Sequence, residues 1–346
     1  MEEPATSPPH SRPEPGPQRP GQADAHAFWL RAPGRGEIRP THLPEPGPDD
    51  VLVRTLRSAV SRGTETLVFR GGVPPDQYAT MRAPFQEGDF PGPVKYGYLN
   101  VGVVEEGPTA LCGHTVFCLF PHQTAYVVPA NAVIVVPDGV PPDRAVLTGT
   151  VETAVNALWD AAPLIGDRVT VVGAGMVGCC VARLLCRFPA VGVTLVDVDP
   201  GRADIAAALG VDFALPTDAA GGCDLVVHAS ATSAGLQHSL DLLAPEGTVI
   251  DLSWYGDADV RLSLGGAFHS GRLGIRASQV GTLSPARSGR RTTADRLALA
   301  LDLLRDNAFD ALLTGQSRFD ELPEVMTRLA AGSLPALCHA ITYDGT

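Results

Sequence analysis

The sequence predicts an α/β protein, a compact all-β unit followed by a doubly wound parallel sheet and a short αβ return. Three observations predict it. Residues 168–178, RVTVVGAGMVG, carry a β-branched run into three glycines and the start of an apolar helix. Strand-like and helix-like patterns then alternate as far as residue 278, which implies right-handed crossovers and a parallel sheet. Before the glycines, from Ala27 to about Val136, the apolar runs are short, alternating or β-branched, and are separated by Pro, Gly and Asp, the pattern of strands and turns.

Taken in order, residues 1–25 hold Pro4, Pro8, Pro9, Pro13, Pro15, Pro17 and Pro20 with almost no large apolar side chains. Such a segment cannot bury enough surface to offset its ordering entropy, so a disordered tail is expected. Strands are expected over 51–56, 101–105, 116–119, 125–128 and 133–136. Over 144–160, Ala145, Leu147, Val151, Ala154, Val155 and Leu158 form a helical stripe that leads to the glycine turn. There Val169, Val171 and Val172 suit a buried parallel strand, and Gly173, Gly175 and Gly178 have the GxGxxG spacing of a dinucleotide-binding turn. The first glycine permits the tight turn, the second lets backbone approach a pyrophosphate, and the third allows close helix to strand packing. Met176 and Val177 open the helix, expected over 177–187, whose positive end would face the phosphates. The next strand, 193–196, ends on Asp197, 24 residues after Gly173. That is close to the roughly 20-residue offset of an acid that takes ribose hydroxyls, which favours NAD over NADP. Beyond it come a helix over 202–209, strands at 212–214 and 224–229, a helix over 236–243 and strands over 248–252 and 273–278. A helix over 293–305, a short strand near Leu312, a helix over 321–331 and a strand over 336–343 complete the chain.

With 346 residues about two domains are expected. The net charge of −12 argues against nucleic acid or an anionic membrane as a partner. Arg287, Arg290 and Arg291 read as a solvated loop, with an anion contact as the alternative. No apolar run reaches the roughly 18 residues of a spanning helix, and the proline-rich start does not suit a signal peptide. The seven cysteines show no CxxC pair, which suits buried thiols in a reducing compartment, the cytoplasm by default.

An all-β unit, a dinucleotide-binding domain and an αβ return together resemble the medium-chain dehydrogenase/reductase superfamily of the zinc alcohol dehydrogenase type, over about residues 27–345. VLVRTLRSAVSRGTE (51–65) resembles the strand that ends in the first zinc cysteine, YGYLNVGVVEEG (96–107) the GHE segment, and LVDVDPGR (195–202) the ribose-binding stretch. SRGTETLVFRGGVP with YGYLNVG is most similar to the bacteriochlorophyllide dehydrogenase-like branch. The resemblance implies a GroES-like β-rich catalytic domain over 26–158, a Rossmann NAD-binding domain over 159–285 and a return over 286–346 that completes the catalytic domain. It also implies Asp197 on the ribose, Arg202 beside the adenosine, and a homodimer. The departures are as telling. Ser61 stands at the zinc cysteine, Tyr98 and Leu99 at the His and Glu of GHE, and the cysteine-rich lobe of the structural zinc is missing. A catalytic zinc needs about three Cys, His or carboxylate ligands. A zinc-free member is therefore expected, with His114 or His122 beside Glu152 as the alternative ligand set.

Without zinc, side-chain donors must polarise the substrate oxygen. Tyr98 is the first candidate, against plain cleft packing. Ser61 and Thr64 lie on the loop of the family's proton-relay hydroxyl, though SRGT also reads as an ordinary turn. His122 precedes a strand bordering the pocket, and Glu152 is either catalytic or a helix-face carboxylate held by an arginine such as Arg62. His228 reads better as a satisfied histidine at a strand end, Trp254 and Tyr255 as pocket or core residues alike, and Phe268 and His269 precede the last sheet strand, which in the resembled superfamily often forms the dimer edge. The expected activity is NAD(H)-dependent oxidation of an alcohol or reduction of a carbonyl on a small molecule. An NADPH-dependent enone reductase, a dinucleotide-binding protein without turnover and an S-adenosylmethionine site are the rivals.

Overall fold

A computed structural model describes residues 25–344; the tail expected over 1–25 lies, apart from Ala25, outside the described residues. Six strands form one sheet in the spatial order Asp212–Ala214, Gly192–Val196, Arg168–Val172, Cys223–His228, Leu243–Asp251 and Gly274–Ala277. Every neighbouring pair is parallel. Helices cover both faces, so Val169, Val171, Leu195, Val226 and Val227 are buried and the strands read as nearly continuous apolar runs. From Arg168–Val172 the chain steps outward to Gly192–Val196 and Asp212–Ala214, then crosses back to Cys223–His228 on the other side, which makes Arg168–Val172 the switch point of the order. A crevice for a ligand is therefore expected beyond the carboxyl ends of Arg168–Val172 and Cys223–His228.

A seven-stranded sheet holds the β-rich unit. Asp50–Val60 is its spine, paired antiparallel with Asn100–Glu106, with Ala125–Pro129 and with Cys338–Thr342. Cys338–Thr342 pairs parallel with Leu313–Arg318, so the C-terminal return is built into this sheet. A smaller sheet of four strands contains Ala25–Ala32 and Arg35–Thr41. One buried cluster runs from Leu99, Val101 and Phe117 through Val151 to Val169 and Cys180, and so spans both units. A second joins Phe28, Val60, Phe69 and Ile341, and Tyr98 packs against both.

Two local expectations change. The helix expected over 144–160 is two helices, Pro142–Ala145 and Thr148–Ala161. The Thr148 hydroxyl takes the Ala145 carbonyl at 2.6 Å, which competes with the backbone ladder at the break. SRGT is not a free turn but opens the helix Arg62–Phe69, whose Leu67, Val68 and Phe69 are buried. Gly71, at φ +76, follows its end in a conformation that glycine adopts without strain.

Candidate active site

The glycine turn has the stereochemistry its spacing predicts. Gly173 sits at φ +110, and a Cβ there would meet the backbone of Ala229 and Ser230 at 2.8 Å. Gly178 is held closer still, since a Cβ would lie 1.9 Å from the Gly173 carbonyl oxygen. A Cβ on Gly175 would meet nothing within 4 Å, so the space beside it is open to a ligand. No side chain caps the helix Met176–Leu185, which starts there. Its first-turn N–H groups are thus left to an anion. Met176 is buried against the core and Val177 packs at its edge.

Asp197 follows Gly192–Val196 and turns its carboxylate towards the glycine turn: Oδ2 accepts the Ala174 N–H at 2.7 Å and Oδ1 the Asp199 N–H at 2.9 Å. Asp199 in turn lies 3.2 Å from the Arg202 guanidinium. The open turn, uncapped helix and acid at the second strand end fit the phosphates and adenosine ribose of a dinucleotide.

Tyr98, Ser61 and Thr64 come together. Burial, reinforced by the negative charge of Glu65, pushes the Tyr98 phenol up to about 12, while the neighbouring Ser61 and Thr64 hydroxyls pull the other way. Glu65, only 3% exposed, is the residue the sequence reading missed. Its Oε1 accepts the Ser61 N–H at 2.8 Å and its Oε2 lies 2.9 Å from His122 Nε2. The other ring nitrogen of His122 bonds Ser58 Oγ at 2.7 Å, which bonds the Tyr343 phenol at 2.8 Å. His122 is therefore a fully engaged buried histidine behind the hydroxyl cluster. The signal for Glu65 was a carboxylate four residues after Ser61, one turn before Leu67, Val68 and Phe69, which places it on the buried helix face.

Glu152 is engaged by a different residue. It pairs with Arg296, not with Arg62, at 2.9 Å, and both side chains are almost wholly buried. Burial raises its pKa to about 7 against the opposing pull of Arg296. Arg62 instead donates to the Ala336 carbonyl. His114 is exposed, so it is not brought to Glu152 and His122. Among the described residues no group of three or more His, Cys, Asp or Glu side chains is placed to hold a metal ion. With Ser61 and Tyr98 at the ligand positions and both His122 nitrogens engaged, this donor set does not fit a catalytic zinc.

Trp254 packs against the second core cluster, and at Gly256 a Cβ would lie 2.5 Å from the Gly72 carbonyl oxygen, so this loop of the parallel-sheet unit abuts the C-terminal end of the helix Arg62–Phe69, whose first turn carries Ser61 and Thr64. His228 ends Cys223–His228 and is fully buried, and Phe268 and His269 lie on the short helix Ala267–Ser270. Arg287, Arg290 and Arg291 line a separate hollow of about 560 Å³ with Trp159, over whose ring the Arg287 guanidinium stacks at 5.9 Å. Tyr98 and Asp197 do not line it.

No family model matches the chain. L-threonine 3-dehydrogenase of Deinococcus radiodurans is 27% identical over 225 residues, covering 55% of this chain and 61% of its own length. The chain thus matches less than two thirds of that relative. Among solved structures, a protein described as a zinc-binding dehydrogenase from Sinorhizobium meliloti 1021, bound to NADP, is 18% identical, with a TM-score of 0.73 over 93% of this chain and 100% of that one. A protein described as a short chain alcohol dehydrogenase from Escherichia coli CFT073, complexed with NADH, is 16% identical, with a TM-score of 0.73 over 92% and 99%. These likenesses show the fold. It is a GroES-like domain joined to a Rossmann domain, as the sequence resemblance implies.

Proposed function

We propose that this chain, built on the medium-chain dehydrogenase/reductase fold, is an NAD(H)-dependent oxidoreductase that moves a hydride between nicotinamide and an alcohol or carbonyl carbon, with side-chain hydroxyls in place of a catalytic zinc. The observation that carries it is the half-buried cluster of Tyr98, Ser61 and Thr64, in which Tyr98 and Ser61 stand where the resembled superfamily places metal ligands. When bound, the nicotinamide supplies or accepts the hydride. The turn at Gly173 and Gly175 and the uncapped N–H groups of Met176–Leu185 hold the pyrophosphate. Asp197 accepts the ribose hydroxyls and repels a 2′-phosphate, and Arg202 flanks the adenosine.

Tyr98, with its pKa pushed up to about 12, stays a phenol at neutral pH. It is therefore a hydrogen-bond donor to the substrate oxygen, not a base. In a site screened from water such a donor stabilises developing negative charge. Ser61 and Thr64 orient the phenol and exchange its proton. Glu65 and His122 position the loop that carries them, and Glu152 stiffens the helix Thr148–Ala161 through Arg296. The substrate is a small molecule, and a homodimer would use the edge strand Gly274–Ala277, where Ile275 is partly exposed.

The test has two parts. Metal content is measured by mass spectrometry beside NADH and NADPH titrations, and Tyr98→Phe is then assayed for NADH oxidation with a panel of aldehydes and ketones. NADH binding without zinc, and a loss of about 100-fold or more in kcat at unchanged NADH affinity, is expected. Near-stoichiometric zinc, or an unchanged kcat, would overturn the mechanism.

A further inference from the structure

A second buried polar network lies in the crevice of the parallel sheet, and the hydroxyl cluster does not use it. His228 is fully buried; its Nδ1 is 2.9 Å from Asp251 Oδ1 and its Nε2 is 2.7 Å from Ser230 Oγ. Asp251 also accepts the Ser253 N–H at 3.0 Å and the Tyr255 hydroxyl at 2.9 Å. Burial pushes its pKa up, but these bonds outweigh it and hold the carboxyl below its ordinary value. An ionised carboxylate can only accept, so Nδ1 carries a proton, and in the neutral tautomer this leaves Nε2 as an acceptor. The Ser230 hydroxyl must then donate to His228.

The inventory of Ser230 can be completed. Thr232 Oγ1 accepts the Gly235 N–H at 3.0 Å and lies 3.0 Å from Ser230 Oγ, so its own proton is free to fill one lone pair of Ser230. One lone pair remains. Ser230 is partly exposed, and its backbone is the wall that a Cβ on Gly173 would strike. It therefore borders the glycine turn at the switch point of the sheet, where fold-level physics places the middle of a dinucleotide. The relay is tightly built, because at Gly235 a Cβ would fall 2.1 Å from Ser230 Oγ and 3.0 Å from His228 Nε2. The order Asp, His, Ser is also that of a hydrolytic triad. Here, however, the Ala231 N–H that could serve an oxyanion donates instead to Ser253 Oγ at 3.1 Å.

We infer that Ser230 is a cofactor-contact residue whose hydroxyl is fixed as an acceptor by the Asp251–His228 relay, to take an O–H of the nicotinamide ribose or an N–H of the carboxamide. The assignment rests on the dinucleotide reading above. His228 and Asp251 are positioning residues. The test compares the dissociation constants of NADH and AMP for the full chain and for Ser230→Ala and Asp251→Asn, with thermal unfolding measured for each. Ser230→Ala should weaken NADH about 5- to 10-fold, the worth of one hydrogen bond, and leave AMP within twofold. Asp251→Asn can donate to Nδ1 and force the other tautomer, so it should cause a similar loss that vanishes when Ser230 is already Ala. Equal effects on NADH and AMP, no effect of Ser230→Ala, or additive losses in the double variant would overturn the inference. Failure of the unaltered chain to bind NADH at all would overturn the cofactor reading and this one with it.

Discussion

Glu152→Gln is the substitution whose effect the structure defines most closely. The Glu152 carboxyl is 3% exposed, and although Arg296 lies 2.9 Å away, burial raises its pKa from 4.5 to about 7. The folded chain therefore binds a proton here over a range in which the unfolded chain has released it. Stability from this group is present in full below pH 4.5 and is lost as the pH rises through 7. At 1.36 kcal/mol per pH unit the rise is worth about 3 kcal/mol, most of which falls between pH 5 and pH 8. Glutamine keeps the shape and a hydrogen-bond acceptor for Arg296 but does not titrate. Urea unfolding of both proteins at pH 5 and pH 8 isolates the group, because all other titrations are shared. The variant should match the parent at pH 5, where the folded Glu152 carries the proton that the amide imitates, and should exceed it by roughly 2–3 kcal/mol at pH 8. Parallel pH profiles would refute the reasoning and show that the ion pair with Arg296 outweighs the burial.

Two further outcomes are expected. Asp197→Ser removes the carboxylate that accepts the Ala174 and Asp199 N–H groups; paired titrations should show the ratio of NADPH to NADH affinity rising by about tenfold or more, and an unchanged ratio would remove Asp197 from the ribose. Gly178→Ala places a Cβ 1.9 Å from the Gly173 carbonyl oxygen, a backbone atom that cannot turn aside. Helix and strand must separate, at about 1–3 kcal/mol, so a lowered Tm together with weaker NADH binding is expected, and an unchanged Tm would show that the packing is looser than the structure has it.

The fold was legible where a single physical constraint dominates the choice of residue. Gly173 and Gly178 announce themselves because no side chain fits where they stand, and the parallel strands because both faces are buried and only β-branched or aliphatic residues suit them. Tyr98 and Ser61 were legible through resemblance, as hydroxyls standing at metal positions, and Thr64 as a hydroxyl on the loop of the proton relay. The rest depended on contacts far apart in the chain. Glu152 finds Arg296, 144 residues away, and Glu65 finds His122, 57 residues away. Nothing in the local pattern of SRGTE or TVETAVNAL encodes these partners. The break at Thr148 has a different cause, since a hydroxyl that takes the Ala145 carbonyl leaves the apolar spacing of the helix untouched and so invisible to periodicity.

Glu65 connects the two halves of the proposed mechanism. A carboxylate this deeply buried is costly unless both oxygens are satisfied, and both are: one by the Ser61 N–H, the other by His122. Through Ser61 it holds the start of the helix Arg62–Phe69, and through His122 and Ser58 it holds the segment after Thr115–Cys118 against the end of Asp50–Val60. Three pieces of chain are thus fixed around one charge, as a bound cation would fix them, but with the opposite sign. A cation in this place would lower the pKa of a neighbouring phenol and make it a better acid or a phenolate. Glu65 instead adds to the burial that raises Tyr98, and its field keeps the proton on the phenol. A site organised by a buried anion suits a tyrosine that donates a hydrogen bond throughout the reaction, with full proton exchange left to Ser61, Thr64 and the solvent they reach.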